Sequence, residues 1–333
     1  MSWFLVLVIS VIAALHFQSD VDLMLRFLPF TQENSVLAFK GKVVWITGAS
    51  SGIGAQLAKD YTASGAQVII SARRAANLEA VARDCALLGH APLIVPLDVT
   101  DYSAETGTVY ALNHILETYG HIDTLVLNAG RSQRSLALET DIDDTRNLME
   151  LNVMSYINLS KQVVPHMVKR GSGDVVVVGS IAGKIATPIS SSYSATKFAL
   201  QGYYDAFRAE VSHLGINVLL VCPGPVKSEI VENAVRPEGE GGSGKEVFKQ
   251  DIKVMPTGRC THLILKALYW GYDEVWISDQ PFLATTYVAE YVPDLTRYLF
   301  KTFIGPSRAK AFKDGASVFD VKEMLKNIFM GSK

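Results

Sequence analysis

Residues 42–71 read KVVWITGASSGIGAQLAKDYTASGAQVIIS, and this stretch decides the fold. Residues 43–46 form a short apolar run without polar alternation, as a strand buried on both faces does. A glycine-rich turn follows, Thr47-Gly48-Ala49-Ser50-Ser51-Gly52-Ile53-Gly54. A helical stretch then runs over residues 53–64 until Gly65 stops it, and residues 68–70 give a second apolar run. Glycines at 48, 52 and 54 let the backbone turn tightly, approach a pyrophosphate and seat the next helix on the sheet. That helix N-terminus offers N–H groups and the positive end of its dipole to phosphates. Glycine strings serve many turns, so the placement between strand and helix is what carries the reading.

Outward from this unit the rhythm repeats. A helical stretch over 75–88 meets Gly89 as a left-handed stop, and residues 93–95 form a third strand. Ser103 is the expected cap of a helix whose face shows Val109, Leu112, Leu116 and Tyr119 before Gly120. Further apolar runs lie at 125–127, 175–178 and 218–221. Continuous runs alternating with helices predict one doubly wound α/β domain on a parallel sheet. Residues 20–40, with Pro29 and a TQENS run, read as a linker, and 236–246 is low-complexity. The stretch after Pro281 mixes aromatics with Lys and Arg and reads as a surface-lying C-terminal extension over 286–333.

Among the 333 residues the apolar share is 49% and the formal charge is -2. Neither the balance nor any Lys/Arg cluster points to nucleic acid. Cys85, Cys222 and Cys260 are scattered, with no spacing for a metal and no disulfide framework, which predicts buried thiols. Residues 1–19 carry no charged side chain, and a helix of that length spans about 28 Å, close to the ~30 Å of a bilayer's hydrocarbon. They read as an uncleaved membrane anchor. The rivals are a cleaved signal, which would show a basic start and a small-residue cleavage site, and an amphipathic segment lying on the membrane.

At the end of the second strand, where an acidic residue would bind a ribose 2′-hydroxyl, the chain has Ser71-Ala72-Arg73-Arg74. Two guanidinium forks and no carboxylate favour a 2′-phosphate, hence NADPH/NADP+. Tyr193-Ser194-Ala195-Thr196-Lys197 sets a phenol and an ammonium at i and i+4 on one helix face. A phenol near pKa ~10 exchanges protons poorly at neutral pH unless a cation helps it.

These motifs together resemble the short-chain dehydrogenase/reductase family. TGASSGIG matches its TGxxxGxG turn and YSATK its YxxxK. Ser180, in VGSIAG, stands where that family keeps its catalytic serine, and Asn152, in LNV, matches its helix asparagine. Asn128-Ala129-Gly130 matches the end of its NNAG motif, Asp98-Val99 its adenine-site pair, and PGPVKS at 223–228 its nicotinamide-side loop. Leu127 departs from the first asparagine of NNAG, and Ser228 from a usual threonine. SQRS at 132–135, CPGPV at 222–226, IVEN at 230–233 and VWISDQPF at 275–282 are similar to one branch. That branch is the membrane-associated dehydrogenase/reductase member seven group, near the 11β-hydroxysteroid dehydrogenases.

The resemblance implies a Rossmann-type domain over 41–285 and hydride transfer between NADP(H) and a carbonyl/alcohol pair. Ser180 and Tyr193 would hold the substrate oxygen, with Tyr193 as acid or base. Lys197 would lower the Tyr193 pKa and hold the nicotinamide ribose, and Asn152 would hold a water linking Lys197 to solvent. Gly48, Ser50, Ser51, Gly52, Ile53, Gly54, Arg73, Arg74, Asp98, Val99, Asn128, Val226 and Ser228 would contact the cofactor, together with Tyr193 and Lys197. The implied substrates are lipophilic ketones and aldehydes of steroid, retinal or quinone type, or the matching alcohols, met at the endoplasmic reticulum membrane. A homodimer is among the assemblies the resemblance allows. The alternatives are a non-catalytic membrane-bound NADP(H)-binding scaffold, which loss of a catalytic residue would favour, and an epimerase or dehydratase sharing the YxxxK helix.

Overall fold

The computed structural model describes residues 18–230, 232–236 and 254–314, together with Leu15. Strand β1 (Val43–Thr47) is buried along its whole length and hydrogen-bonds β2 (Gln67–Ser71) on one side and β4 (Thr124–Leu127) on the other. Four more parallel ladders complete the sheet through β3 (Leu93–Ile94), β5 (Gly173–Val178), β6 (Ile216–Pro223) and β7 (Glu274–Ile277), in the order β3-β2-β1-β4-β5-β6-β7. The chain reverses its winding between β1 and β4, and a ligand crevice opens beyond the carboxyl ends of strands at such a point.

Alternate residues of β1 feed two cores. Val44 and Ile46 pack on one face with Leu57, Tyr61, Leu78 and Leu263. These come from α3 (Gly52–Ala63), α4 (Ala75–Ala86) and α9 (Thr257–Tyr269), which follow two short helices, α1 (Leu23–Phe27) and α2 (Gln32–Phe39). Val43 and Trp45 pack on the opposite face with Ile115, Val163 and Leu200, from α5 (Thr108–Tyr119), α7 (Ser155–Arg170) and α8 (Ser191–Val211). Burial on both faces is why the strands read as continuous apolar runs.

Several boundaries differ from the sequence expectation. β7 is a seventh strand that the apolar runs did not announce. The helix expected to reach Gly89 ends at Ala86, and Gly89 is not among the left-handed glycines. Ser103 does not cap α5; Asp101 gathers the Ser103 amide at 2.9 Å and the Thr106 hydroxyl at 2.8 Å into a turn, and the helix starts at Thr108.

Residues 20–40 are not a free tether. Val21 bridges to Ile277, Val21 and Leu25 are fully buried, and Asp20 takes two hydrogen bonds from Arg259 at 2.8 and 3.0 Å. The C-terminal stretch folds into α10 (Phe282–Tyr291), α11 (Pro293–Leu299) and α12 (Gly305–Lys313), with a π-helical turn at Phe300–Ile304. The three cysteines are buried free thiols. The expected anchor at 1–19 lies almost wholly outside the described residues, as do most of 236–246 and residues 315–333. Among the described residues no helix is long and apolar enough to cross a membrane.

Candidate active site

The glycine turn is built by its neighbours. Thr47 closes β1 with its hydroxyl donating to the Val126 carbonyl at 3.2 Å and accepting the Asn128 and Ala129 amides at 3.1 and 3.3 Å. The Asn128 side chain donates to the Thr47 and Gly48 carbonyls, both at 3.1 Å. Gly48 has φ +65°, and a Cβ there would sit 2.7 Å from the Ala129 Cα. At Gly54 a Cβ would meet the Asn128 amide nitrogen at 2.5 Å. Gly54 therefore lets the start of α3 pack closely on the glycine turn and on Asn128. Gly48, Ser50, Ser51, Gly52 and Ile53 line a cavity.

This cavity, of about 970 Å³, extends from the glycine turn across the strand ends to the C-terminal helices. Its glycine-turn end suits a dinucleotide. α3 has no side-chain cap and no acidic residue in its first turn, so its leading N–H groups stay available to an anion. Arg74 reaches Ser50 and Ser51 at 3.2 and 3.4 Å and pairs with Glu229 at 3.0 Å. Arg73 lies 3.9 Å from Asp98, whose other oxygen accepts from the Thr100 amide and hydroxyl. Both arginines are exposed at the cavity rim, beside Val99. Ser71 faces away, its hydroxyl accepting the Trp45 indole at 2.9 Å. Across the cavity, Val226 and Ser228 bring the loop after β6 against the turn, where a Cβ on Gly52 would stand 2.9 Å from that of Ser228.

Ser180, Tyr193 and Lys197 meet at the middle of the cavity. Ser180 ends the extension of β5, accepts the Ala182 amide at 3.1 Å and donates to the Pro223 carbonyl at 3.3 Å. Burial pushes the Tyr193 phenol above its ordinary value, while a hydrogen bond with Ser180 and the charge of Arg134 pull it the other way. Lys197 donates to the Val178 carbonyl at 3.0 Å, and burial brings its pKa down to about 8. Its ammonium is 5.7 Å from the centroid of the Tyr193 ring. The ammonium is thus held between a backbone oxygen and the face of the Tyr193 ring.

Asn152 is fully buried and outside the cavity lining. It sits in a π-helical turn, Glu150–Met154, between α6 (Ile142–Met149) and α7. Its amide donates to the Arg131 carbonyl at 2.9 Å and Thr196 at 3.1 Å, and its oxygen accepts the Arg131 amide at 3.0 Å. The side chain clamps the loop after β4 to the helix bearing Tyr193. Leu127, the departure from NNAG, is a fully buried strand residue.

Sequence reasoning missed three contributors. Gln133 accepts the Ser192 and Tyr193 amides at 2.7 and 3.1 Å, capping α8 from a distant loop. Arg134 lines the cavity beside Tyr193. The extension, expected on the surface, supplies Phe282, Val288, Leu299, Phe300 and Ile304 to the cavity wall. The SQRS string marked the first two only as a likeness; no spacing rule reveals a cap supplied from so far along the chain.

With this geometry in hand, the comparisons are decisive. The family model for short chain dehydrogenases matches residues 42–239. The chain belongs to the short-chain dehydrogenase/reductase family. Among relatives of this family, human dehydrogenase/reductase SDR family member 7 is 38% identical over 332 residues, 95% of each chain. The mouse protein of that name is 40% identical over 314 residues, 92% of this chain and 91% of the relative. A solved short-chain dehydrogenase from Streptomyces avermitilis superposes with TM-score 0.64 at 30% identity, covering 81% of this chain and 99% of that one. A Burkholderia phymatum short-chain dehydrogenase/reductase, solved in complex with NAD, shares the fold with TM-score 0.67 at 24% identity, covering 77% of this chain and 95% of that one. The chain is an oxidoreductase of this family, and its cofactor class is the nicotinamide dinucleotides.

Proposed function

We propose that this short-chain dehydrogenase/reductase uses NADP(H) to reduce ketones or aldehydes of lipophilic molecules, or to oxidise the matching alcohols, at the endoplasmic reticulum membrane. The observation that carries the reading is the convergence of Ser180, Tyr193 and Lys197 on one cavity that also holds the uncapped start of α3 and the Arg73–Arg74 pair. The absence of a carboxylate at 72–74 supports the phosphorylated cofactor, since an acidic residue there would repel a 2′-phosphate. Bound dinucleotide supplies the hydride. Ser180 and Tyr193 hydrogen-bond the substrate oxygen and stabilise the negative charge that grows on it. Tyr193, kept protonated by burial, gives its phenolic proton to that oxygen and takes it back in the reverse direction. Lys197 would hold the ribose, and Asn152 keeps α8 in register with the loop after β4. The apolar outer wall suits steroid, retinal or quinone-like bodies.

The test is NADPH and NADH oxidation measured against a panel of steroid ketones, retinals, quinones and small aldehydes. The expected result is turnover of lipophilic carbonyls with NADPH preferred. Replacing Ala72 with Asp and Arg73 with Ala should shift that preference toward NADH. A wild-type protein that already prefers NADH would overturn the cofactor assignment.

A further inference from the structure

Among the described residues, the carboxylates lining the cavity are Asp98 and Glu229, and each faces one of the two arginines at the glycine-turn end. The two pairs differ. Arg73 stands 3.9 Å from Asp98, too far to hydrogen-bond, and Thr100 holds Asp98 through its other oxygen. Arg74 is bonded: one terminal nitrogen donates to Glu229 at 3.0 Å and to the Ser50 and Ser51 hydroxyls at 3.2 and 3.4 Å. Glu229 comes from across the cavity, in the loop after β6, one residue beyond the Ser228 that abuts Gly52. Its carbonyl accepts the Asn233 amide and side chain, both at 3.0 Å, which fixes its backbone in a turn. The Arg74–Glu229 pair therefore ties the end of β2 to the loop after β6, beside the glycine turn. The Arg74 nitrogen has two hydrogens and already meets three oxygens, so an arriving phosphate oxygen displaces one of them. A carboxylate repels a phosphate where a hydroxyl does not, so Glu229 is the acceptor that gives way. The side chains are 47% and 42% exposed, so the pair is weak enough for a dianionic phosphate to break.

We propose that Glu229 is a cofactor-specificity residue, a tethered anion that competes with the 2′-phosphate of NADP(H) for Arg74 and has no such effect on NAD(H). The proposal rests on the NADP(H) reading above and adds to it a residue that works against the arginines. Glu229 lowers the preference that Arg73 and Arg74 would give by themselves. Binding of the phosphorylated cofactor also removes one tie between β2 and the loop after β6, whereas the unphosphorylated cofactor leaves it in place.

The test is a double-mutant cycle read by calorimetric titration with NADP+ and with NAD+, at low and at high salt. The proteins are the full-length chain, Glu229→Gln, Arg74→Gln and the double variant, with Glu229→Ala as a second version should Glu229→Gln fold poorly. Glu229→Gln should tighten NADP+ about three- to tenfold at low salt, less at high salt, and leave NAD+ within about twofold. In the Arg74→Gln background the same substitution should change NADP+ affinity by less than about twofold, because no clasp is left to release. Unchanged or weakened NADP+ binding in Glu229→Gln overturns the proposal. An equal gain for NAD+ overturns it too, since that would be general repulsion of the dinucleotide. So does a gain that persists without Arg74. A wild-type protein that binds NAD+ more tightly defeats the NADP(H) reading, and the NADP+ cycle still decides the role of Glu229.

Discussion

Tyr193 is a phenol whose burial raises its pKa, and that direction has a consequence for which reaction runs at neutral pH. Below the raised value the proton stays on, so the residue is ready to act as the acid of a reduction. Oxidation needs the phenolate and should climb through the alkaline range, with its midpoint above the ordinary value near ~10. A pH profile of the oxidative kcat that is flat, or that turns over below neutrality, would count against Tyr193 as the base. Tyr193→Phe should reduce turnover by about 10²–10⁴-fold while leaving NADPH affinity within a few-fold, as read by single-turnover rates and fluorescence titration. Unchanged kcat would exclude the role. At this scale the sequence was informative where chemistry follows from local spacing: the i, i+4 relation alone put Tyr193 and Lys197 on one side of a helix. It was silent on where each side chain then points. Lys197 turns to the Val178 carbonyl and Arg134 to the neighbourhood of the phenol, and both choices depend on strands far away in the chain.

Elements set those positions, and α8 shows how. Its first turn has no cap from Ser190; the Ser192 and Tyr193 amides are satisfied by Gln133, which also donates to Ser135 at 3.0 Å and Thr140 at 2.7 Å. Gln133→Leu keeps much of the volume and removes the acceptor, leaving the buried Ser192 amide and the part-buried Tyr193 amide unsatisfied. The expected cost is about 1–3 kcal/mol per unsatisfied group, read by urea unfolding, and kcat should fall more than KM rises because Tyr193 loses its anchor. A variant with wild-type stability and kcat would show that α8 needs no such cap. Six strands were legible because burial on both faces leaves an apolar run, whereas α1 and α2 lay hidden in what read as a linker. β7, Glu274–Ile277, was not legible: its apolar residues were read only as part of the VWISDQPF likeness. The start of α5 was misread for a local reason: Asp101, not Ser103, organises the turn before it.

At the scale of the whole molecule, the two ends of the chain meet the sheet in ways composition does not reveal. The uncharged run over 1–19 announces itself by the absence of charge, but the next twenty residues looked like a linker and instead fill the edge of the core. Ser19 accepts the Gln280 amide at 3.0 Å, Asp20 pairs with Arg259, and Val21, Leu25 and Phe39 are buried. This separates two functions that a simple tail deletion would confuse. Removing residues 2–17 takes away the apolar run and spares every one of those contacts. That protein should leave the membrane fraction, keep a melting temperature within a few degrees of the full chain, and retain NADPH-dependent turnover. Removing residues 2–40 strips three core side chains worth roughly 1.5–3 kcal/mol each, against a total stability of about 5–15 kcal/mol, and should yield aggregated or partly unfolded protein. Carbonate extraction of cell membranes, followed by thermal melts of each form, distinguishes the cases. Full-length protein released by carbonate with its N-terminus intact would remove the anchor from the account. A well-folded 41–333 fragment would show instead that residues 20–40 pack on the core without supporting it.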